Sequence, residues 1–198
     1  MKPILILVTF IYSIICFGQK NEQLDIYSFT INDKEDFIQF IKTGIDLEKV
    51  KPTIIFCQGS LPIPLICEDE KGIFLSSFPF DYKKLTDKYH FVVISTPHTP
   101  LKANVSQLNH QYAYVRDITI LFSYDFLYLQ DNYMENYLKR ANKVIDFLIQ
   151  QKWVDKQNIA VLGHSQGAYI VTMLAKINPN ISTLGYFSGN PDGKYSQL

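Results

Sequence analysis

The chain has 198 residues, enough for one domain with a buried core, and 47% of them are hydrophobic and 14% aromatic. Nineteen Lys and Arg balance nineteen Asp and Glu, with no basic stripe, so the electrostatic footprint of a nucleic-acid-binding protein is absent. The cysteines and histidines show no zinc-site spacing, and Glu68-Asp69-Glu70 lacks the alternating ligands of a calcium loop and reads as a solvated turn. Neither a metal nor a cofactor is expected.

Lys2, the apolar run Ile4 to Phe17 and then Gly18-Gln19-Lys20 have the layout of a secretory signal peptide over residues 1–18. The run is short for a bilayer, which disfavours an uncleaved anchor, and bulky Ile15 disfavours lipidation of Cys16. The expectation is a secreted or periplasmic protein starting near Gln19, with no stable membrane span after cleavage and a single domain over 19–198. Asp25 to Phe40 alternates in part around Asp33-Lys34-Glu35-Asp36 and suits an antiparallel hairpin. Thr53 to Cys57 and Phe91 to Ile94 are continuous apolar runs of the kind found in strands covered on both faces. They end in Gln58-Gly59-Ser60 and Ser95-Thr96-Pro97. Asp81 to Tyr89 between them suits a short helix. Cys57 and Cys67 either pair across the loop after the first of these strands or stay apart, with Cys57 a small buried hydrophobe.

Tyr112 to Tyr133 is aromatic-rich and lacks Gly and Pro, which fits one helix or a cap; periodicity does not decide. From Tyr133 to Trp153, Met134, Tyr137, Leu138, Ala141, Val144, Ile145, Leu148 and Ile149 recur at spacings of three and four, with Lys139, Arg140, Lys143 and Asp146 between them. That spacing predicts an amphipathic helix. After a polar connection, Asp155 to Asn158, the run Ile159 to Leu162 predicts a strand. It leads into Gly163-His164-Ser165-Gln166-Gly167 and then a largely apolar helix from Ala168 to Ile177, stopped by Asn178-Pro179-Asn180. Thr183 to Ser188 offers a last strand. There is no repeat and no linker.

Helix, strand, serine, helix, strand is the grammar of a parallel sheet with crossover connections. Gly163 to Gly167 reads as a nucleophile elbow, a serine mounted on a sharp strand-to-helix turn. A hydroxyl at its ordinary pKa is a poor nucleophile, so it must stand proud of the backbone, close to a base and to donors that receive an oxyanion. Ligands gather outside the carboxyl ends of such strands, which places Gly59-Ser60, Ser95 to Thr99 and Ser165 on one rim.

From about Thr53 to Ser188 the chain resembles the α/β-hydrolase fold superfamily, in particular its secreted serine esterase, peptidase and acyl-hydrolase branches. The resemblance implies a mostly parallel sheet with crossover helices on both faces. It makes Ser165 the nucleophile and gives oxyanion-hole amides to Gln166 and to Ser60, whose turn Gln58-Gly59-Ser60 stands where the family has a His-Gly pair. Gln58 is a departure from that pair. The family's triad runs serine, acid, histidine along the chain, and no histidine follows His164. Within the elbow, His164 is expected to point away from the hydroxyl, and His90 precedes its strand on the wrong rim. His98 and His110 lie where they could reach the site. Asp192 is a candidate acid, although Asn190-Pro191-Asp192-Gly193 also reads as a plain turn.

The resemblance therefore implies a hydrolase lacking the final strands that carry the acid and histidine, acting on a small-molecule or peptide acyl substrate through an acyl-enzyme. The alternative is an inactive relative that keeps an acyl-ligand pocket. Leu61 to Leu65 and Tyr112 to Tyr133 either wall that pocket or belong to the core.

Overall fold

The computed structural model describes residues 25–33, 36–76, 78–120 and 122–189. The expected leader and Asp192 lie outside them. The hairpin is present, formed by β1 (Asp25–Asp33) and β2 (Asp36–Gly44). It opens a six-stranded sheet with β3 (Lys51–Cys57), β6 (His90–Ile94), β8 (Val154–His164) and β9 (Thr183–Phe187), in the order β1-β2-β6-β3-β8-β9. Strands β6, β3, β8 and β9 run parallel, while β2 joins β6 antiparallel.

This order fixes where the connections lie. Parallel crossovers are right-handed, so two that run in opposite directions along the sheet cover opposite faces. The path from β3 steps one way to β6; those from β6 to β8 and from β8 to β9 step the other way. The latter two carry α2 (Met134–Leu148) and α3 (Gln166–Ile177), which share one face. Tyr137, Ala141, Val144, Ile145 and Leu148 of α2 and Ile170, Val171 and Leu174 of α3 close over Ile38, Phe40, Ile55, Val92, Ile159 and Val161. The other face, expected to carry crossover helices too, is covered by the β3-to-β6 connection, which supplies a 3-10 turn at Tyr82–Leu85 and a set of aromatic rings. Phe78 stacks 4.2 Å from Tyr82 and 5.5 Å from Phe56, centroid to centroid.

The polar stretch Asp155 to Asn158 is a bulge within β8. Lys51 pairs with Val154, but Thr53 pairs with Ile159. The Asp155 carboxylate accepts from the Gln157 amide and the Asn158 side chain.

A second sheet of β4 (Ile66–Asp69), β5 (Gly72–Leu75) and β7 (Lys102–Asn104), in the order β5-β4-β7, has no counterpart in the sequence reading. Glu68 and Asp69, read as part of a turn, belong to β4, and only Glu70 lies in the bend. Cys57 sits in the core on β3 and Cys67 on this small sheet, and both are free thiols. Of the two options the sequence left open, the unpaired one holds. Burial pushes the Cys57 thiol up to about 12, leaving it uncharged and inert at neutral pH. Among the described residues no helix is long and apolar enough to cross a membrane.

Candidate functional site

Strands β3 and β8 are neighbours whose onward connections leave to opposite sides of the sheet. Their carboxyl ends therefore form a crevice that no crossover fills, the position at which open α/β sheets bind ligands. Ser165 ends β8 there, and Gln58-Gly59-Ser60 ends β3.

Ser165 has φ 54° and ψ −118°, a backbone that an L-residue adopts only when its surroundings over-determine it. Two close approaches do so. A Cβ on Gly163 would lie 2.2 Å from the Gly167 carbonyl oxygen, and one on Gly167 would lie 2.1 Å from that of Cys57. The first brings the helix against its own strand; the second brings it against β3. The Ser165 amide donates to the Phe187 carbonyl at 3.2 Å, and the Ser165 carbonyl accepts from Ala168 at 3.0 Å. Ser165 itself remains half-buried rather than sealed in the core.

The oxyanion segments expected from the sequence come together around it. Gln166 is the first residue of α3, so its amide has no acceptor within the helix and lies at the positive end of the helix dipole. A Cβ at Gly59 would stand 3.4 Å from Ser165 Cβ and 3.8 Å from His164 Nδ1, so the β3 turn borders the serine directly. Ser60 follows on the exposed side, and its carbonyl accepts a hydrogen bond from the Tyr128 hydroxyl.

The histidines divide as follows. His90 lies at the opposite rim, where Nε2–H donates to the Lys49 carbonyl at 2.7 Å and the ring meets Trp153 edge-on. His110 is exposed. His164 is half-buried beside Gly59. His98, on the loop after β6, donates Nε2–H to Asp131 at 2.6 Å. That carboxylate ends α1 (Phe126–Asp131), which Asp125 caps by accepting from the Leu127 amide. Thus Tyr112 to Tyr133 is not one helix; its described residues up to Asp125 are non-helical, and this short helix follows. One turn of α1 links the rim twice, through Tyr128 to Ser60 and through Asp131 to His98.

Arg140, read as part of the polar face of α2, is 1% exposed. One of its terminal amino groups donates to the Ser95 carbonyl at 3.0 Å and to Ser95 Oγ at 3.1 Å. The signal was available: position 140 lies three residues after Tyr137 and four before Val144, on the apolar stripe itself.

A half-buried serine in this geometry, bordered by the turn after β3 and standing at the N-terminus of α3, is placed where a ligand carbonyl could reach it. Comparison with known proteins agrees on the scaffold. Residues 123–182 match the model of the prolyl oligopeptidase family. No curated protein matches the chain. Among solved structures, a prolyl endopeptidase aligns at 13% identity over 82% of this chain and 21% of its own, with a TM-score of 0.54. A Bacteroides ovatus protein assigned as a dipeptidyl aminopeptidase IV aligns at 17% identity over 82% of this chain and 20% of its own, with a TM-score of 0.52. Prolyl oligopeptidase B from Galerina marginata gives 11% identity over the same shares and the same TM-score. The chain thus spans about a fifth of the length of the structures it matches. In sheet order, elbow and neighbours alike, it is a protein of the α/β-hydrolase fold.

Proposed function

We propose that this chain carries the nucleophile and oxyanion hole of a serine hydrolase. Ser165 attacks the carbonyl of an ester, thioester or amide, and the amides of Gln166 and Ser60 hold the tetrahedral oxyanion until the leaving group departs and water releases the acyl group. The observation that carries the reading is the left-handed backbone of Ser165 set against Gly59. Each such amide is worth about 3 kcal/mol of transition-state stabilisation in comparable sites. The solved neighbours are named as prolyl and dipeptidyl peptidases, which favours a peptide amide as the substrate class. The apolar run from Ile4 supports export and a mature chain beginning near Gln19; mass spectrometry of the exported protein would read that terminus directly.

A fluorophosphonate probe tests the nucleophile. Stoichiometric modification at Ser165, lost in Ser165→Ala, is the expected outcome, and no modification of folded protein refutes it. One observation favours a second reading, in which the chain keeps an acyl-binding crevice without turnover. Among the described residues, the Nε2 atoms of His90 and His98 are engaged by Lys49 and Asp131 rather than by Ser165.

A further inference from the structure

Beneath the β3 turn lies a cavity of about 20 Å³, lined among others by Gln58, Ser95, Thr96, Tyr137 and Arg140. Such a volume holds one water molecule, provided polar groups meet it there. Gln58 is 6% exposed, and its orientation is fixed because Nε2–H donates to the Ile94 carbonyl at 3.2 Å. Its Oε1 is buried and has no hydrogen-bond partner among the described residues. A buried amide oxygen left in that condition keeps its full desolvation penalty. Across the same cavity stand the Arg140 guanidinium, held by Ser95, and Ser95 Oγ, which accepts from Arg140 and keeps its own proton to give.

We propose that one ordered water occupies this cavity, donating to Gln58 Oε1 and accepting from the Ser95 and Arg140 side, and that Gln58 and Arg140 thereby act as positioning residues for the Gly59-Ser60 turn. The inference rests on the oxyanion reading of Ser60 given above. Gln58 is the residue immediately before Gly59, so its side chain anchors the turn from beneath. The Tyr128 hydroxyl anchors the same turn from above through the Ser60 carbonyl, backed by Tyr137, whose hydroxyl donates to Asn132 and interacts with that of Tyr128. Tyr137 also lines the cavity, so both anchors converge on α2. A turn held at two points keeps its amide aimed without rearrangement when charge develops, and a misplacement of about 1 Å can cost about a hundredfold in rate.

The test measures the second-order rate of fluorophosphonate modification of Ser165 together with hydrogen exchange of the 58–61 amides, in the wild type, Gln58→Leu, Gln58→Glu and Arg140→Met. In Gln58→Leu and Arg140→Met, labelling slows by about tenfold to a hundredfold and the turn amides exchange faster, while exchange in β8 is unchanged. Gln58→Glu keeps an acceptor for the water but loses the Nε2–H bond to the Ile94 carbonyl and sets an oxygen against it, so it too labels more slowly than the wild type. A crystal structure showing a water within hydrogen-bond distance of Gln58 Oε1 completes the case. Equal labelling and equal turn exchange in a folded Gln58→Leu overturn the proposal, as does density showing that site dry. A wild type that takes no label overturns the hydrolase reading instead, and the water and the exchange then decide the anchoring alone.

Discussion

The glycines around Ser165 differ in what they tolerate. At Gly163 and Gly167 an added methyl group meets main-chain atoms at 2.2 and 2.1 Å, and neither backbone can yield without parting α3 from β8 or β3. Gly163→Ala and Gly167→Ala should each lower stability by more than about 2 kcal/mol in urea titration. At Gly59 the nearest atom would be 3.4 Å away, an ordinary contact. Gly59→Ala should change stability by less than about 0.5 kcal/mol, so the motif's cost is paid inside the elbow and not at the facing turn. A different residue contributes to pH sensitivity on the acid side. Burial is the main cause holding the His90 ring below its ordinary pKa, with Lys42 and Lys51 adding to it and the bond to Lys49 and the charge of Glu48 opposing. The folded state favours the neutral ring, so its contribution is complete above about pH 6.5 and drains away as pH falls below that. The melting temperature should drop from pH 7 to pH 5, and His90→Phe should flatten that slope even if it melts lower throughout.

At the scale of elements, α2 gives more buried side chains to the main core cluster than α3 does. Its buried stripe ends in Leu148, which is fully enclosed. Leu148→Ala should lose about 2–5 kcal/mol in chemical denaturation. The stripe was readable because a helix of this length repeats its apolar spacing several times, and the strands were readable because β3, β6 and the end of β8 are covered on both faces and carry unbroken apolar runs. The small sheet was not, since strands of three or four residues, such as Lys102–Asn104, are too short to show a period. Ser165 and its glycines were legible because local chain geometry demands them in sequence order. The link from Tyr128 to Ser60, the His98–Asp131 pair and the burial of Arg140 depend on which distant segments meet, and local spacing does not encode that.

For the molecule as a whole, β9 is one of the two edge strands of the central sheet among the described residues, and its Leu184, Tyr186 and Phe187 are 40%, 42% and 37% exposed. An outer strand with apolar side chains and unpaired main-chain groups is a template for further pairing. Tyr186→Lys should therefore raise the concentration at which the 198-residue chain stays monodisperse in light scattering. The crevice has a bearing on time as well as on place. Phe56 and Leu162, side by side in the sheet, lie 106 positions apart in the sequence, and pairings between such remote partners form late and slowly. Before they form, the serine and the turn that faces it are merely two stretches of a loose polymer. Chemical competence at Ser165 should thus emerge only in the last phase of refolding, and quenched labelling during refolding would make the hydroxyl a clock for the closing of the central sheet.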